Sequence, residues 1–547
     1  MRLKTTLIAL AAFLANGVIA YAQPGKTNPV PENRLYPKIR IPATSLVVVD
    51  LGNDKIEGQV AACGLQGIVN RGNKKKVYVM NTWCSDNHGN WNKTAGKNRQ
   101  AEMGAVWLKE VFANMPREEL KRDTTQQNPG FLALLARYHS AAKGIIIYDP
   151  QLEDATIEAA TTIAGQTDGL ILSPSLAEQV KSYNLPVIVD LRGKFKNDLE
   201  CLNWLKSNYF AKANKQIAFT WSHMNSGPLS WGGANKDYVV ANRLFTYYLN
   251  IEDKNEREHY EDIVKLYPPG TPIMGWTNEL SADHLFAEYG YFMVPCIAVE
   301  NLSVMSSFPS AKGSQPAPKV YPVANNAVYV ACLVSDGDNL LHSMIYEPYT
   351  MINSKTYGDI PLTWIINPAI ADLAPPVYQW MLSRLGNQEL GAMMGDGSPG
   401  TDRFTGFSFY CDFAKHYVQQ AGIKTMKQML EADAVAWRVQ PYAINSGYAG
   451  TDLRGIGPYE YHLNGRTFNV GTTNMKPELL DKAIDNAPKG KPLFLSVFFA
   501  GAHRDIPAEI KALSDRLQAR HDGKKYYFVR TMDLAATYRA SKGLPVQ

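Results

Sequence analysis

The residues best placed for chemistry follow an uninterrupted apolar run near the middle of the chain. The run covers 330–334 (VACLV) and ends in 335–339 (SDGDN). Five apolar residues in a row are typical of a strand buried on both faces of a parallel sheet. Ligands of such sheets bind beyond the carboxyl ends of the strands, so Asp336, Asp338 and Asn339 are candidate site residues. A simple Asp/Gly turn has the same spacing and stays an alternative.

Two further carboxylates follow predicted strands in the same part of the chain. Asp372 comes after a predicted strand at 362–366, and Asp396 after one at 390–394. Glycoside hydrolysis needs two carboxyl groups, about 5 Å apart for retention and roughly 6.5–9.5 Å apart for inversion. Each acid alone is more often a turn former or a helix cap. Their recurrence at successive strand ends predicts a catalytic set, which comprises Asp336, Asp338, Asp372 and Asp396.

Aromatic and polar side chains near predicted strand ends are candidate sugar contacts. Aromatic rings stack on the apolar face of a pyranose and contribute a large contact area. A partly buried core position would explain each tryptophan as well. The predicted substrate-binding residues are Trp276, Glu279, Asn339, Trp364, His503 and Arg504.

The histidines do not form a familiar metal-binding pattern. None of the 10 has another histidine four residues away, the spacing at which two share a helix face as metal ligands. We predict no metal and no cofactor. A split zinc site near His342 and His503, or calcium held by Asp336, Asp338 and Asn339, stays an alternative. The chain also lacks a Gly-x-Ser-x-Gly elbow and a phosphate-binding Gly-rich loop, so nothing specific supports an esterase or a nucleotidase.

The N-terminus has the features of an export signal. Arg2 and Lys4 precede an apolar stretch at 6–20, and 20–22 (AYA) fits the small-x-small cleavage rule. We therefore predict a signal peptide over 1–22, cleavage after Ala22, and a secreted or periplasmic protein. No later segment reaches about 18 consecutive apolar residues, so no membrane span is predicted after signal removal. A net charge of +5 over 547 residues gives no support for a nucleic-acid partner. The oligomeric state is left open.

Apolar segments with strand and helix periods alternate along most of the chain. This pattern predicts an α/β fold, with N-terminal open α/β (Rossmann-like) domains and a C-terminal β/α-barrel-like domain. Predicted helices include 238–249 and 424–432. The Ser-, Pro- and Gly-rich composition after 305 is typical of a linker. The predicted division is a signal at 1–22, an N-terminal α/β domain at 23–140, a middle α/β region at 141–305, a linker at 306–325 and the barrel-like domain at 326–547.

Two segments carry a resemblance to a known family. The tip 335–339 and the following 360–375 (IPLTWIINPAIADLAP) resemble the C-terminal domain of the GxGYxYP family, and 65–71 (LQGIVNR) is similar to its N-terminal domain. The family consists of exported bacterial proteins to which glycoside hydrolase activity has been assigned from fold similarity. The naming motif itself is divergent. Where Gly-x-Gly-Tyr-x-Tyr-Pro is expected, 395–400 (GDGSPG) and 406–410 (GFSFY) replace part of the tyrosines by phenylalanine and lack the proline.

The resemblance and the strand-tip acids together predict an exported glycoside hydrolase. Its partner would be an oligosaccharide or polysaccharide, and paired carboxylates at barrel strand tips would cleave it. Asp336 and Asp338 would lie at the centre, with Asp372 or Asp396 as the second carboxylate. The divergent naming motif favours an alternative, a non-catalytic glycan-binding or scaffold protein that keeps the fold. A metal-dependent carbohydrate deacetylase is the remaining alternative.

Overall fold

A computed structural model shows a mixed α/β protein with four sheets in its described part. The predicted fold class, open α/β layers followed by a β/α-barrel-like domain, is confirmed. In the part of the chain that the structure covers, no helix combines the length and apolarity needed to cross a membrane. The structure describes residues 29–82, 99–221, 233, 235–276, 285–286, 288–296, 299–334, 336–337, 339–395, 407–428, 442–445, 457–463, 466–500 and 504–546.

The first sheet is a small parallel one with the order β2-β1-β3. Its central strand is apolar because helices cover both faces, and 46–49 are buried. Residues 65–71, which carry the N-terminal resemblance, lie on the helix that joins its first two strands. The elements are β1 (Ser45–Asp50), α1 (Ile56–Gly72), β2 (Lys75–Met80), α2 (Arg99–Glu110), β3 (Arg117–Glu119) and α3 (Pro129–Tyr138).

Two further parallel sheets follow, with the orders β5-β4-β6 and β10-β9-β7-β8. The first consists of β4 (Gly144–Ile147), α4 (Glu153–Thr167), β5 (Gly169–Leu172), α5 (Pro174–Gln179), β6 (Val187–Asp190) and α6 (Asp198–Tyr209). The second consists of β7 (Asn214–Trp221), α7 (Lys236–Asn242), β8 (Leu244–Tyr248), α8 (Lys254–Val264), β9 (Pro272–Trp276), β10 (Phe292–Pro295) and α9 (Leu302–Met305).

The predicted helix over 238–249 is wrong in its second half. Helix α7 ends at Asn242, and strand β8 begins at Leu244. Arg243 separates them with a left-handed backbone (φ +56°), which stops the helix. The residues after it, LFTYY, are aromatic and β-branched types that favour a buried strand.

Helix α1 joins the three N-terminal sheets through its polar side chains. Gln66 Nε2 donates to the side chain of Asn301 (2.7 Å), and Asn70 Nδ2 donates to Ser303 Oγ (2.8 Å). Arg71 reaches the C-terminal ends of two other helices, where it binds Gly165 O, Asp168 Oδ1, Val240 O and Ala241 O. The segment 65–71 therefore holds the three N-terminal sheets together.

The close packing around Gly67, in the segment 65–71, predicts that a larger residue there destabilises the protein. A Cβ there would lie 2.5 Å from the backbone oxygen of Asp237 and 2.8 Å from Val240 Cβ. We expect Gly67→Ala to lower the free energy of unfolding by about 1–3 kcal/mol, because helices α1 and α7 would have to move apart. Gly72→Ala on the same helix is the matched control, since nothing lies within 4 Å of its Cβ. Urea unfolding should show an unchanged free energy of unfolding for Gly72→Ala. An equal decrease for Gly67→Ala and Gly72→Ala would contradict the role assigned to close packing at Gly67.

The C-terminal sheet contains eight parallel strands and one antiparallel strand, β16, which pairs with β17. Its elements are β11 (Ala327–Val334), α10 (Glu347–Asn353), β12 (Thr363–Ile366), α11 (Ile370–Leu373), α12 (Pro375–Arg384), β13 (Glu389–Ala392), α13 (Phe407–Gln420), β14 (Thr425–Gln428), β15 (Tyr442–Asn445), β16 (Gly457–Leu463), β17 (Arg466–Met475), α14 (Leu480–Asp485), β18 (Leu493–Phe499), α15 (Ile506–Gln518), β19 (Lys525–Val529) and α16 (Thr531–Ser541). A π-helical turn, His342–Tyr346, precedes α10. Short 3-10 helices occur at Glu32–Arg34, His139–Ala141, Pro150–Leu152, Lys181–Tyr183, Phe210–Lys212 and Pro477–Leu479.

Strand β11 brings this sheet round into a barrel-like ring. It pairs with β18 and β19, and its last two residues, Leu333 and Val334, also pair with Thr363 and Trp364 of β12. Because β12 is the first strand of the order and β11 the last but one, this pairing connects one end of the sheet with the strand beside its other end, β19. The carboxyl ends of β11, β12 and β18 therefore lie side by side.

The predicted helix over 424–432 is wrong at 425–428, and 429–432 lie outside the described residues. Thr425–Gln428 form strand β14, between β13 and β15. Lysine, methionine, glutamine, leucine and glutamate have good helix propensity, but pairing with two neighbouring strands overrides that weak preference.

The predicted linker includes a segment that is irregular and yet packed. Ser306, Ser307 and Ala311 are buried. Ala311 N donates to the backbone oxygen of Ala371 (2.8 Å), and the Gln315 carboxamide binds the backbone of Leu390. The composition shows that this stretch lacks regular structure, whereas its attachment to the barrel-like domain appears only in three dimensions.

Candidate active site

The tip after β11 has a tight and strained backbone. Asp336 has φ +83°, a region that residues other than glycine rarely adopt. The next residue, Gly337, lies so close to β12 that a Cβ would come within 1.4 Å of Ile365 O. Strained backbone of this kind persists where the surrounding structure enforces it, and it clusters at functional sites. The tip is therefore held in a specific geometry at the carboxyl edge of the barrel-like sheet.

Side chains of the π-helical turn hold this tip against the end of β12. Ser343 Oγ donates to Gly337 O (3.0 Å) and accepts from Asn367 N (3.0 Å). Asn339 is buried, and its carboxamide oxygen accepts from Leu341 N (2.9 Å), so it caps the start of the following helix. π-Helical turns occur frequently at functional sites. The hydrogen bonds of Ser343 thus connect the residues that follow β11 and β12, next to Asp336.

Of the three other predicted acids, the structure describes Asp372 alone. Asp338 and Asp396 lie outside the described residues. Asp372 is buried on helix α11, where it accepts from Gln420 Nε2 (2.6 Å) and pairs with Lys38 Nζ (3.6 Å). The groups known to bind Asp372 therefore come from helix α13 and the N-terminal segment.

The predicted sugar contacts are described only in part. Glu279 and His503 lie outside the described residues. Trp364 and Trp276 are only 1% and 8% exposed, so both indoles are core side chains here and offer no open face to a sugar.

Arg504 follows β18, five residues after the strand ends, and lines a pocket of about 500 Å³. Its guanidinium donates to Ala500 O (2.8 Å) and pairs with Glu509 (3.3 Å). Because β18 is the neighbour of β11, this pocket opens on the same edge of the sheet as Asp336.

Lys427 lies inside the barrel-like sheet and was not predicted as a site residue. Its side chain is only 4% exposed, and its Nζ lies 4.3 Å from the centre of the Phe498 ring, a cation–π distance. Lys427 is not recognisable as a site residue from the sequence, because its segment is predicted as a helix, in which a lysine carries no special information.

Glu389 is a second buried ionisable residue that was not predicted from the sequence. It begins β13, at the end of the sheet opposite to the Asp336 tip. Its Oε2 accepts from Thr363 Oγ1 (3.1 Å) and Met532 N (3.0 Å), and Thr425 donates to its Oε1. Burial raises the pKa of this carboxyl to about 7, although these donors oppose the shift. Glu389 thus links three strands and the start of α16, at a distance from the candidate site.

The raised pKa of Glu389 predicts a pH dependence of stability. The folded protein holds a proton on this group up to about pH 7, whereas the unfolded chain releases it near pH 4.3. The contribution to stability is therefore full below about pH 4.3 and is lost as the pH rises towards 7. We expect Glu389→Gln to remove a decline of up to about 3 kcal/mol in the unfolding free energy over that range. Urea unfolding at several pH values tests this prediction. It would be contradicted if the free energy of unfolding of Glu389→Gln depended on pH as strongly as that of the wild type.

The described residues contain no group of three or more His, Cys, Asp or Glu side chains that could hold a metal ion. Asp338 and His503, which belong to the alternative metal sites, lie outside that range.

Sequence profiles of one family match three parts of the chain. The "GxGYxYP_N second domain" matches 142–213, the "GxGYxYP third domain" matches 220–307, and the "GxGYxYP putative glycoside hydrolase C-terminal domain" matches 326–391. The chain belongs to the GxGYxYP family. The C-terminal GxGYxYP match contains the Asp336 tip, strand β12 and Asp372.

A solved structure shares the fold of this GxGYxYP protein almost end to end. It is a "putative hydrolase from Bacteroides thetaiotaomicron", with a TM-score of 0.73 and 18% identity, covering 94% of this chain and 98% of that chain. At this identity the likeness shows the fold alone. A "putative polysaccharide deacetylase from Mycobacterium smegmatis" has a TM-score of 0.30 and 12% identity, over 43% of this chain and 97% of that one, which is too low to support an argument. No curated protein sequence matches the chain.

Proposed function

We propose that this protein is an exported glycoside hydrolase whose site lies around the β11 tip. The observation that carries the proposal is the strained Asp336 (φ +83°) at the carboxyl edge of a barrel-like parallel sheet. Membership of the GxGYxYP family, whose C-terminal domain carries the description "putative glycoside hydrolase", supports the reaction class. Active sites of β/α barrels lie at this edge of the sheet.

Two carboxyl groups would share the chemistry. One donates a proton to the glycosidic oxygen, and the other either attacks the anomeric carbon or activates a water for that attack. Asp336 supplies one of them, and Asp338 or Asp396 is proposed as the second. Asp372 is the weaker candidate because it pairs with Lys38 and accepts from Gln420.

Export is part of the proposal. The basic start of the chain, the apolar stretch at 6–20 and the AYA sequence at 20–22 support a cleaved signal. Mass spectrometry of the protein released from the producing cell should find Gln23 as the first residue. A product that retains 1–22 would contradict export by this route.

Product release from a panel of plant and host glycans tests the proposed activity. The mature chain 23–547 would be assayed for reducing ends over a pH range, with binding of the same glycans followed in parallel. Paired carboxylates predict turnover with a bell-shaped pH profile. Binding without turnover would instead support a non-catalytic glycan-binding protein, the alternative that the divergent segment 395–410 favours.

A further inference from the structure

A large cleft lies where the N-terminal strap, residues 31–43, crosses between the third sheet and the barrel-like domain. Its volume is about 950 Å³, within the usual range for small-ligand sites. The strap is held firmly on both sides, since Tyr238 Oη donates to Pro37 O (2.6 Å) and Tyr36 N donates to Tyr417 Oη (3.0 Å). The cleft is therefore a built feature of the domain junction.

Two of the five basic side chains that line the cleft are neutralised by carboxylates. Lys38 pairs with Asp372 (3.6 Å), and Arg71 pairs with Asp168 (2.6 Å). Both of these basic side chains are partly buried and also serve the domain contacts described above.

The other three basic side chains leave the cleft with excess positive charge. Arg40, Lys212 and Arg243 are exposed, and none of them forms an ion pair with any residue that the structure describes. The lining contains one further acid, Glu32. Three cations facing a common space repel one another, and a bound anion would relieve that repulsion.

Arg243 is held in this cleft at a cost in backbone strain. Its φ is +56°, and every other non-glycine residue with positive φ in the described part of the chain is Asn or Asp. A left-handed backbone costs about 1 kcal/mol or more for a residue such as arginine, and glycine or asparagine is usual at this helix-ending position. The backbone is fixed because Arg243 O accepts from Asn214 N (2.8 Å). Backbone strain of this kind is concentrated at functional sites. Because it is retained at a residue with an exposed guanidinium, we infer that the positive charge of Arg243 has a function.

We propose that this cleft binds the anionic group of an acidic carbohydrate, a uronic-acid carboxylate or a sulfate ester, through Arg40, Lys212 and Arg243. Guanidinium groups bind both anions by paired, charge-assisted hydrogen bonds. That the ligand is a sugar rests on the proposed function, whereas the preference for an anion rests on the cleft itself.

Calorimetric titration of the mature chain tests the anion preference. The probes are trigalacturonate for the carboxylate, a sulfated disaccharide for the ester, maltotriose as the neutral sugar, and inorganic sulfate. We expect the acidic sugars to bind at least about tenfold more tightly than maltotriose, with an affinity that falls as salt is added. Equal affinity for neutral and acidic sugars would overturn the proposal, and inorganic sulfate binding as tightly as the sugars would overturn its carbohydrate part.

Variants assign the binding to the cleft. Arg243→Gln and Arg40→Gln should each weaken acidic-sugar binding by about tenfold, because each removes a charge-assisted contact. Arg137→Gln is the matched control, an exposed arginine on helix α3 that does not line the cleft. Arg243→Asn should weaken binding while keeping or raising the unfolding temperature, since asparagine tolerates the left-handed backbone. Wild-type affinity in the cleft variants would overturn the assignment.

The failure of this proposal and that of the hydrolase proposal give different results. Asp336→Asn should retain acidic-sugar binding in the cleft. A wild-type protein that binds acidic sugars through Arg243 and releases no product would contradict the hydrolase alone. If neutral glycans are turned over and Arg243→Gln does not change the affinity for acidic sugars, only the proposal about the cleft is contradicted.

Discussion

Asp336→Asn is expected to lower glycan turnover by about 10²–10⁴-fold while leaving the fold intact. The loss is the usual size for removal of a general acid or base, and a smaller residual rate would fit a nucleophile. Asparagine keeps the shape of aspartate and shares its tolerance for a left-handed backbone, so the strained tip with φ +83° should form unchanged. The measurement is the initial rate of product release at the wild-type pH optimum, together with the thermal unfolding midpoint.

Asp359→Asn is the matched control for this experiment. Asp359 is an exposed aspartate of the same domain, in the loop before β12. The Asp359→Asn variant should keep the wild-type rate of product release and the wild-type thermal unfolding midpoint. Wild-type turnover in Asp336→Asn would remove the β11 tip from the mechanism, and Asp338→Asn and Asp396→Asn, assayed in parallel, would then show whether either other acid is needed.

Lys236→Met is expected to lower the free energy of unfolding by about 3–5 kcal/mol. Lys236 Nζ lies 2.8 Å from Glu158 Oε1, and the two residues are 2% and 1% exposed. The pair joins α7 to α4, two helices that belong to different sheets. Removing the lysine leaves a carboxylate buried with only Thr246 Oγ1 as its hydrogen-bond donor among the contacts seen here, and an uncompensated buried charge is strongly destabilising.

A double variant separates the charge effect from lost packing. Lys236→Met with Glu158→Gln should recover most of the stability, because glutamine is neutral and can still accept from Thr246. Lys181→Met is the matched control, since Lys181 forms an ion pair with Glu178 in which both side chains are about three-quarters exposed. An exposed pair contributes at most about 1 kcal/mol. Similar losses in urea unfolding for Lys236→Met and Lys181→Met would contradict the role assigned to burial.

Strands within continuous apolar runs were predictable to the residue or nearly so. The predicted strands at 362–366 and 390–394 agree with β12 (Thr363–Ile366) and β13 (Glu389–Ala392) to within two residues, and the predicted strand at 330–334 ends where β11 ends, just before the Asp336 tip. Such runs carry their own signal because a strand buried on both faces needs apolar side chains at every position. The errors at 243–249 and 425–428 occur where a weak helical preference meets a neighbouring strand or a left-handed residue.

The candidate site was predictable only in the part that one segment supplies. A strand followed by an acid and a glycine is local information, and the family resemblance of 335–339 and 360–375 is local as well. Glu389 and Lys427 could not be identified from their own segments, because their importance comes from burial inside the barrel-like sheet. The tryptophans were uncertain for the same reason, since sequence does not say which face of a ring stays open.

By itself, the sequence determined the alternation of strands and helices, the family and the position of the acid-bearing strand tip. Those features depend on side chains within a few residues of one another, whose apolar period and turn types are written in one segment. The tertiary structure alone decided that Asp372 meets Lys38, that the linker packs, and that Arg40, Lys212 and Arg243 share one cleft. Such groups meet only when distant parts of the chain pack together, so their mutual distances, and with them their charge and pKa, are properties of the whole fold.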